Sequence, residues 1–354
     1  MKNNNLTDFY NALQSIAQVN EIDKRKGMDT ASLKKLLWLK GVKLVIVFLF
    51  FLTSCDNDKP VEQTDSNKPV VKKYVPEFNA DSAFAFVKKQ VEFGPRIPNS
   101  KAHSDCEKYF VATLKKYGLK VIEQKGTVKG YDGKMLPFNN ITAQYQPENP
   151  RRIMISSHWD SRPWADNDNH DTDKPIDAAN DGASGVGIIL ELARILQTHK
   201  IDVGVDFVLF DVEDYGKPDF ENSYCLGSQY WSRNLPIKIK PEFGVNLDMV
   251  GDPNAKFTYE GISTMNARFA VNKVWQSAAT LGYSKYFSFE ETDPITDDHK
   301  YVNELAKIPC IDVIDKSTSS FSATWHTHKD NIKNISPFTL KAVGQTLLFV
   351  LTYE

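Results

Sequence analysis

The sequence predicts a single α/β domain over residues 75–354, built on a central mixed, mostly parallel, twisted sheet with helices on both faces. Three observations carry that reading. From about Val75 onward, short apolar runs of strand length alternate with amphipathic stretches of helix length. Alternation of this kind favours crossover connections and a sheet covered on both sides. The composition, 41% hydrophobic and 25% charged in 354 residues, is that of an ordinary globular chain. A chain disordered throughout, a collagen-like repeat and a polytopic membrane protein are thereby excluded.

The elements follow in chain order. Residues 81–93 (DSAFAFVKKQVEF) and 102–117 space their apolar residues at three and four, with Asp81 placed to cap the first helix. Residues 153–156 form a short apolar strand, and 185–196 (GVGIILELARIL) a strongly apolar helix opened by small residues. Residues 206–210, 244–247 and 310–314 read as further buried strands, and 266–281 and 336–353 as amphipathic helices. No internal repeat is present.

The residues before this domain read as an address and a tether. The apolar run 44–52 (LVIVFLFFL) follows Lys34, Lys35, Lys40 and Lys43 and is short for a membrane span. It ends in Leu52-Thr53-Ser54-Cys55, which resembles the lipobox of bacterial lipoproteins, where the cysteine is lipidated. Residues 1–55 are therefore expected to be a signal and lipoprotein segment, with Met28 as an alternative start, and 56–74 a polar, Pro-containing flexible tether. The competing reading is an uncleaved N-terminal anchor with an incidental cysteine. Both place the domain outside the cytoplasm; the first makes it an exported protein, lipid-anchored to a bacterial membrane on its periplasmic side or in the cell envelope. Cys55, Cys106, Cys225 and Cys310 lie too far apart for a metal knuckle and are too few for a disulfide scaffold. A net charge of -2, with no basic and aromatic run in the domain, offers nothing to hold nucleic acid.

Ligands of open α/β sheets bind beyond the carboxyl ends of the strands, and acids and imidazoles collect there in this sequence. His158, Asp160, Ser161 and Arg162 follow the strand at 153–156, and Asn180-Asp181-Gly182-Ala183-Ser184-Gly185 opens the next helix. Asp211, Glu213 and Asp214 follow 206–210; Asp248 follows 244–247; and Trp325, His326 and His328 lie beyond 310–314. An earlier loop supplies Asp297, Asp298 and His299. Any one of these acids alone reads as a helix cap or a solvated loop charge. So many acids in one place repel one another unless a proton or a cation intervenes, and a mixed histidine and carboxylate set suits zinc.

These residues carry a resemblance. His158-Trp159-Asp160-Ser161, Asn180 to Gly185, Glu213-Asp214 and Leu247-Asp248-Met249 resemble the motifs of the zinc aminopeptidase superfamily with two co-catalytic metals. Asp297-Asp298-His299 and the stretch from Phe321 to Trp325-His326-Thr327 resemble the glutaminyl-peptide cyclotransferases (glutaminyl cyclases) of that superfamily, especially those of Bacteroidetes-type bacteria. The resemblance runs from about Phe78 to the C-terminus and implies a zinc-aminopeptidase-like fold. It implies zinc held by Asp181, Asp214 and His326, Glu213 as general base and acid, and Asp248 and Asp297 as a supporting carboxylate pair. Trp325, Phe321 and His299 would bind the substrate, a peptide or protein with an N-terminal glutamine, converted to pyroglutamate with release of ammonia. The animal cyclases have Glu where this chain has Asp214, and residues 217–224 depart from their pattern.

The rival is a two-zinc aminopeptidase, which would recruit His158 and Asp248 to a second metal. One Zn2+ is expected of the cyclase and two of the peptidase. His158 otherwise reads as a histidine hydrogen-bonded to an acid, and Trp325 as a core tryptophan. A non-catalytic binding lipoprotein would be expected to have lost Glu213 or a ligand. Asn180 and Gly185 read as serving the turn into the helix, and His103, His170 and His199 as surface residues. The stretch 166–173 (DNDNHDTD) reads as a solvated loop over the site, lacking the glycine and terminal glutamate of a calcium loop. Cys225 and Cys310 read as plain buried thiols.

Overall fold

The computed structural model describes residues 73–354. The signal and tether readings, Met28 and Cys55 included, lie outside the described residues. The chain runs α1 (Ala80–Glu92), α2 (Lys101–Lys116), β1 (Lys120–Lys129), β2 (Met135–Tyr145), β3 (Arg152–His158), α3 (Ala183–Ile195), β4 (Gly204–Phe210) and α4 (Leu226–Arg233). It continues through β5 (Phe243–Asp248), β6 (Phe257–Tyr259), α5 (Gly261–Thr280), β7 (Phe287–Glu291), α6 (Asp298–Tyr301), β8 (Cys310–Ile314) and α7 (Pro337–Tyr353).

The main sheet has the order β1-β2-β4-β3-β5-β8, and β6 and β7 form a small separate pair. Strands β4, β3, β5 and β8 are mutually parallel, while β1 and β2 are antiparallel to each other and β2 to β4. The mixed, mostly parallel sheet expected from the alternation is thus present. The two-residue period of the strands divides their side chains between two cores. Ile153, Ile155, Val205, Phe207, Leu209, Val245 and Val313 face the larger core, with α1, α2, α3, α5 and α7. Met154, Val208, Phe210 and Cys310 face a second core with Trp231 of α4 and Val302, Ala306 and Ile308. All are buried, which is why these strands read as continuous apolar runs.

Strand β3 lies between β4 and β5, and the connections leaving the neighbouring strands β3 and β4 pass over opposite faces, α3 packing in the larger core and α4 in the second. That is a topological switch point. The parallel register brings the carboxyl ends level: His158 lies opposite Phe210, and Asp248 opposite Ile314.

Several local expectations are corrected. Asn79, not Asp81, caps α1, its side chain accepting from the Ser82 N–H at 2.9 Å. Helix α5 begins at Gly261, five residues before the apolar spacing becomes regular, because the Glu260 carboxylate caps it through the N–H groups of Ile262 and Ser263. A break at Ala267 (φ -145°, ψ 40°) separates that first stretch from the rest. Gly185 does not serve a turn but sits inside α3, where an added Cβ would lie 2.4 Å from Ser157 Oγ and 2.7 Å from the Leu247 carbonyl. Only a glycine lets α3 come this close to β3 and β5. The three described cysteines, Cys106, Cys225 and Cys310, are buried free thiols.

Candidate active site

Each loop leaving a carboxyl end carries part of one cluster. His158 ends β3, Asp181 precedes α3, Glu213 and Asp214 follow β4, Asp248 ends β5, and His326 lies in the loop after β8. The backbone at several of these exits is left-handed at non-glycine residues: Val212 (φ 52°), Cys225 (φ 58°), Met249 (φ 50°) and His326 (φ 56°). Such conformations are costly, a β-branched Val most of all, and persist where surrounding contacts enforce them.

Asp181, Asp214 and His326 offer ligand atoms that all lie within 4.8 Å of one another. His326 Nε2 is 3.3 Å from Asp214 Oδ1 and 3.7 Å from Asp181 Oδ2, and all three residues are buried. Burial alone would lower the His326 pKa, but Asp214, Asp166 and Asp181 push it up to about 9. The pocket field therefore favours positive charge at this point. Asp214 Oδ2 is buried without a hydrogen-bond partner, the state of a carboxylate oxygen kept for a cation. Two carboxylates and one imidazole make a three-ligand set suited to zinc with a fourth position open.

Further polar groups orient the members of this cluster from behind. His326 Nδ1 faces Asp166 Oδ1 at 3.3 Å, leaving Nε2 for the cluster. Arg162 grips Asp166 with Nε and Nη2 and reaches Asp214 Oδ1 with Nη1 at 3.0 Å. Asp160 accepts the N–H groups of Glu213 (2.9 Å) and Asp214 (3.2 Å). Asp330 accepts those of Asn180 (2.6 Å) and Asp181 (3.1 Å). The stretch 166–173 is a largely exposed loop over the site, as read, and two of its acids are tied down: Asp166 faces His326, and Asp168 accepts from the N–H of His328 at 2.9 Å. Asn180 holds the Gly251 N–H at 2.7 Å, so it ties two loops together rather than merely opening a helix.

The cluster floors a cavity of about 290 Å3 whose walls include Trp325, Phe321, Tyr224, Met249, Ile295 and Ile314. Trp325 stacks against His326 with ring centroids 4.0 Å apart and against Phe321 at 4.6 Å. It is a wall residue, not a core tryptophan. Residues 217–224, which the sequence left unplaced, contribute Pro218 and Tyr224 to the same wall. Glu213 faces the cavity. Burial pushes its pKa well above the ordinary carboxylate value; the charge of His158 opposes that, and Asp214, Asp297 and Asp298 add to it. Asp248 is raised to about 7 by burial and by Asp181, with His158 again opposing.

Two expected pairings differ. Asp248 and Asp297 both line the cavity, but Asp248 is engaged by His158, 3.2 Å from Nε2. Asp297 instead lies beside Asp312 on β8, the Asn246 side-chain amide donating to both carboxylates at 2.9 and 3.3 Å; burial and the charge of Asp297 push the Asp312 pKa well up. His299 is absent from the cavity wall. It is fully buried, with Nε2 3.0 Å from Glu260 Oε2, and belongs to the support of α5. His158 Nε2 lies 3.0 Å from Asp181 Oδ1 and 3.2 Å from Asp248 Oδ1, bridging the two acids; the same atoms form a second group able to hold a metal. His103 is not a surface residue. Its imidazole is buried against Trp159, ring centroids 4.2 Å apart, and pairs with Asp211 at 2.9 Å.

A zinc-binding α/β domain of the exopeptidase type is the class that this fold and site define. The chain belongs to Peptidase family M28, whose profile matches residues 140–351. Among solved structures it is similar to the Bacteroides thetaiotaomicron glutaminyl cyclase bound to N-acetylhistamine, with 47% identity, a TM-score of 0.77 and coverage of 79% of this chain and 100% of that one. It is similar to a Zn-dependent exopeptidase from Parabacteroides distasonis, with 44% identity, a TM-score of 0.78 and the same coverages. Aminopeptidase YwaD of Bacillus subtilis is 29% identical over 234 residues, covering 62% of this chain; the chain spans about half of that relative, 46% of its length. The resemblance read from the sequence and the fold it implied are both borne out.

Proposed function

We propose that the protein is a zinc-dependent glutaminyl-peptide cyclotransferase, converting an N-terminal glutamine to pyroglutamate with release of ammonia. The observation that carries this is the aromatic-walled cavity of about 290 Å3 over the Asp181, Asp214 and His326 cluster, with Glu213 facing it. The similarity to the Bacteroides thetaiotaomicron glutaminyl cyclase over nearly the whole domain supports the same reading.

Asp181, Asp214 and His326 would hold a single zinc ion, which when bound supplies Lewis-acid polarisation of the substrate's side-chain amide carbonyl. Trp325 and Phe321 fold the glutamine side chain back on itself, so that its α-amine meets its own amide carbon. Holding the two ends of one residue together removes most of the entropic barrier. Glu213 takes a proton from the α-amine as the new C–N bond forms. It returns that proton to the amide nitrogen, which departs as ammonia when the old C–N bond breaks. Asp248 and Asp297 line the same cavity and accept hydrogen bonds from the substrate amine.

The aminopeptidase reading would recruit His158 and Asp248 to a second metal beside Asp181, and these three residues do come together, so the number of zinc ions bound separates the two readings. We further propose an exported protein anchored by lipid on Cys55, a reading supported by the apolar run and the Leu-Thr-Ser-Cys stretch. Ammonia release from Gln-initiated peptides tests the activity. It should appear with the glutamine peptides and not with a leucine amide; hydrolysis of the leucine amide alone would reverse the assignment. Mass spectrometry of the mature N-terminus should find a lipidated Cys55, and an intact sequence ahead of it would remove the anchor.

A further inference from the structure

Glu213 is gripped by more than its own loop. The Cys225 N–H donates to the Glu213 carbonyl at 2.9 Å, and the Leu226 N–H to the Val212 carbonyl at 3.0 Å, so the start of α4 is stitched onto the exit of β4. Cys225 itself is left-handed (φ 58°, ψ 34°), which turns its side chain back toward the segment it is stitched to. Its Sγ lies 3.1 Å from Glu213 Oε1 and is fully buried. Sγ, a Glu213 carboxylate oxygen and an Asp297 carboxylate oxygen lie within 4.8 Å of one another. Next to an ionised carboxylate a thiol acts as the donor. Among the described residues no hydrogen bond engages Glu213 Oε2, and Glu213 faces the cavity.

We propose that Cys225 is a positioning residue for the cyclisation: its thiol holds Oε1 of Glu213 so that Oε2 alone is presented to the substrate. This rests on the reading of Glu213 as the proton carrier. A carboxylate free to rotate would offer either oxygen at varying distance. One tied at Oε1 presents the same atom to the amine when it takes the proton and to the departing nitrogen when it gives the proton back. The thiol keeps its own proton throughout, so no redox or covalent step is involved. The reading of Cys225 as a plain buried thiol is thus incomplete, because position 225 carries a donor where a small apolar residue would fill the same space.

Two measurements test this. The first is independent of activity: the infrared S–H stretch of Cys225, identified as the band lost in Cys225→Ala. It should lie at lower frequency in the unaltered protein than in Glu213→Ala, and an unchanged band would overturn the proposal. The second uses a Gln-initiated peptide. Cys225→Ala should lower kcat by about five- to tenfold, the range of one modest hydrogen bond, with KM and zinc content unchanged. Cys225→Ser, which restores a donor, should recover most of the loss. An unaltered kcat in Cys225→Ala, or a serine variant no better than alanine, would overturn it. If the unaltered protein fails to cyclise glutamine at all, the functional reading falls and the positioning role with it, while the S–H band still reports whether the contact exists.

Discussion

At the scale of single residues, the proposed site separates the groups that would hold a cation from the group that would move a proton. Glu213 and Asp214 are neighbours, yet Asp214 turns to His326 and Arg162 while Glu213 faces the cavity. Glu213→Gln removes the proton carrier without touching a ligand. Turnover should fall by about 10²–10⁴-fold, the usual contribution of general acid–base catalysis, with metal analysis still finding zinc. Asp166 acts from behind His326 through Nδ1. Asp166→Ala should therefore weaken zinc binding by about 10- to 100-fold, as loss of such orienting partners does, read by competition with a chelating dye.

These two cases show what the sequence could and could not disclose. Residues that sit at strand ends announce themselves, because a buried strand is legible from its own apolar run and the next polar residue marks its exit. Glu213, Asp214 and Asp248 are visible for that reason, and Asp181 as the acid just ahead of an apolar helix. The pairings that brace them are not. Asp330 lies 150 residues from the Asn180 N–H that it accepts, and Asp211 108 residues from His103. Nothing local distinguishes them from solvated acids, and a histidine on an amphipathic helix looks the same whether it faces water or a buried carboxylate.

At the scale of elements, β1 and β2 are the clearest omission. Strand β1 lies at the sheet edge and alternates between exposed and half-buried positions, so its sequence KVIEQKGTVK carries too little apolar contrast to read as a strand. The start of α5 was missed for another reason: its stability comes from Glu260, a residue outside the helix. That carboxylate accepts from Ile262 N–H, Ser263 N–H and Oγ, Ile295 N–H and His299. Burial would raise its pKa, but the hydrogen bond and charge of His299 and the two helix N–H groups outweigh burial and hold it at about 2. A carboxylate whose folded pKa is depressed contributes stability above its unfolded value and loses it as pH falls through the folded one. Glu260→Gln should therefore cost about 2–3 kcal/mol at neutral pH. The gap to the unaltered protein should narrow as pH drops from about 4.5 toward 2, as followed by denaturant titration; a gap that stays constant with pH would mean that the charge plays no part.

At the scale of the whole molecule, the sheet order makes the site. Strand β3 sits between β4 and β5, and the connections that leave β3 and β4 over opposite faces open a crevice into which the loops deliver their acids. The alternation of elements was enough to predict that crevice, but not which acids pair across it: Asp297 finds Asp312 on β8, and His158 takes Asp248. Because the proposed ligands come from the segments after β3, β4 and β8, a bound zinc ion would fasten loops that the fold otherwise joins only through their supports. Zinc should bind the folded chain and not the unfolded one. At a free concentration of about 1,000 times Kd it contributes about 4 kcal/mol, so chelation should lower Tm by roughly 8 °C or more, reversed by adding zinc back.

The proposed enzyme needs one cation held by Asp181, Asp214 and His326, with His158 kept as a bridge between acids. Anomalous diffraction at the zinc edge, on crystals grown with zinc in excess, addresses this directly. A single peak among those three side chains is the expected result. A second peak of comparable height between His158 and Asp248 would contradict it and give the protein the two-metal centre of an aminopeptidase.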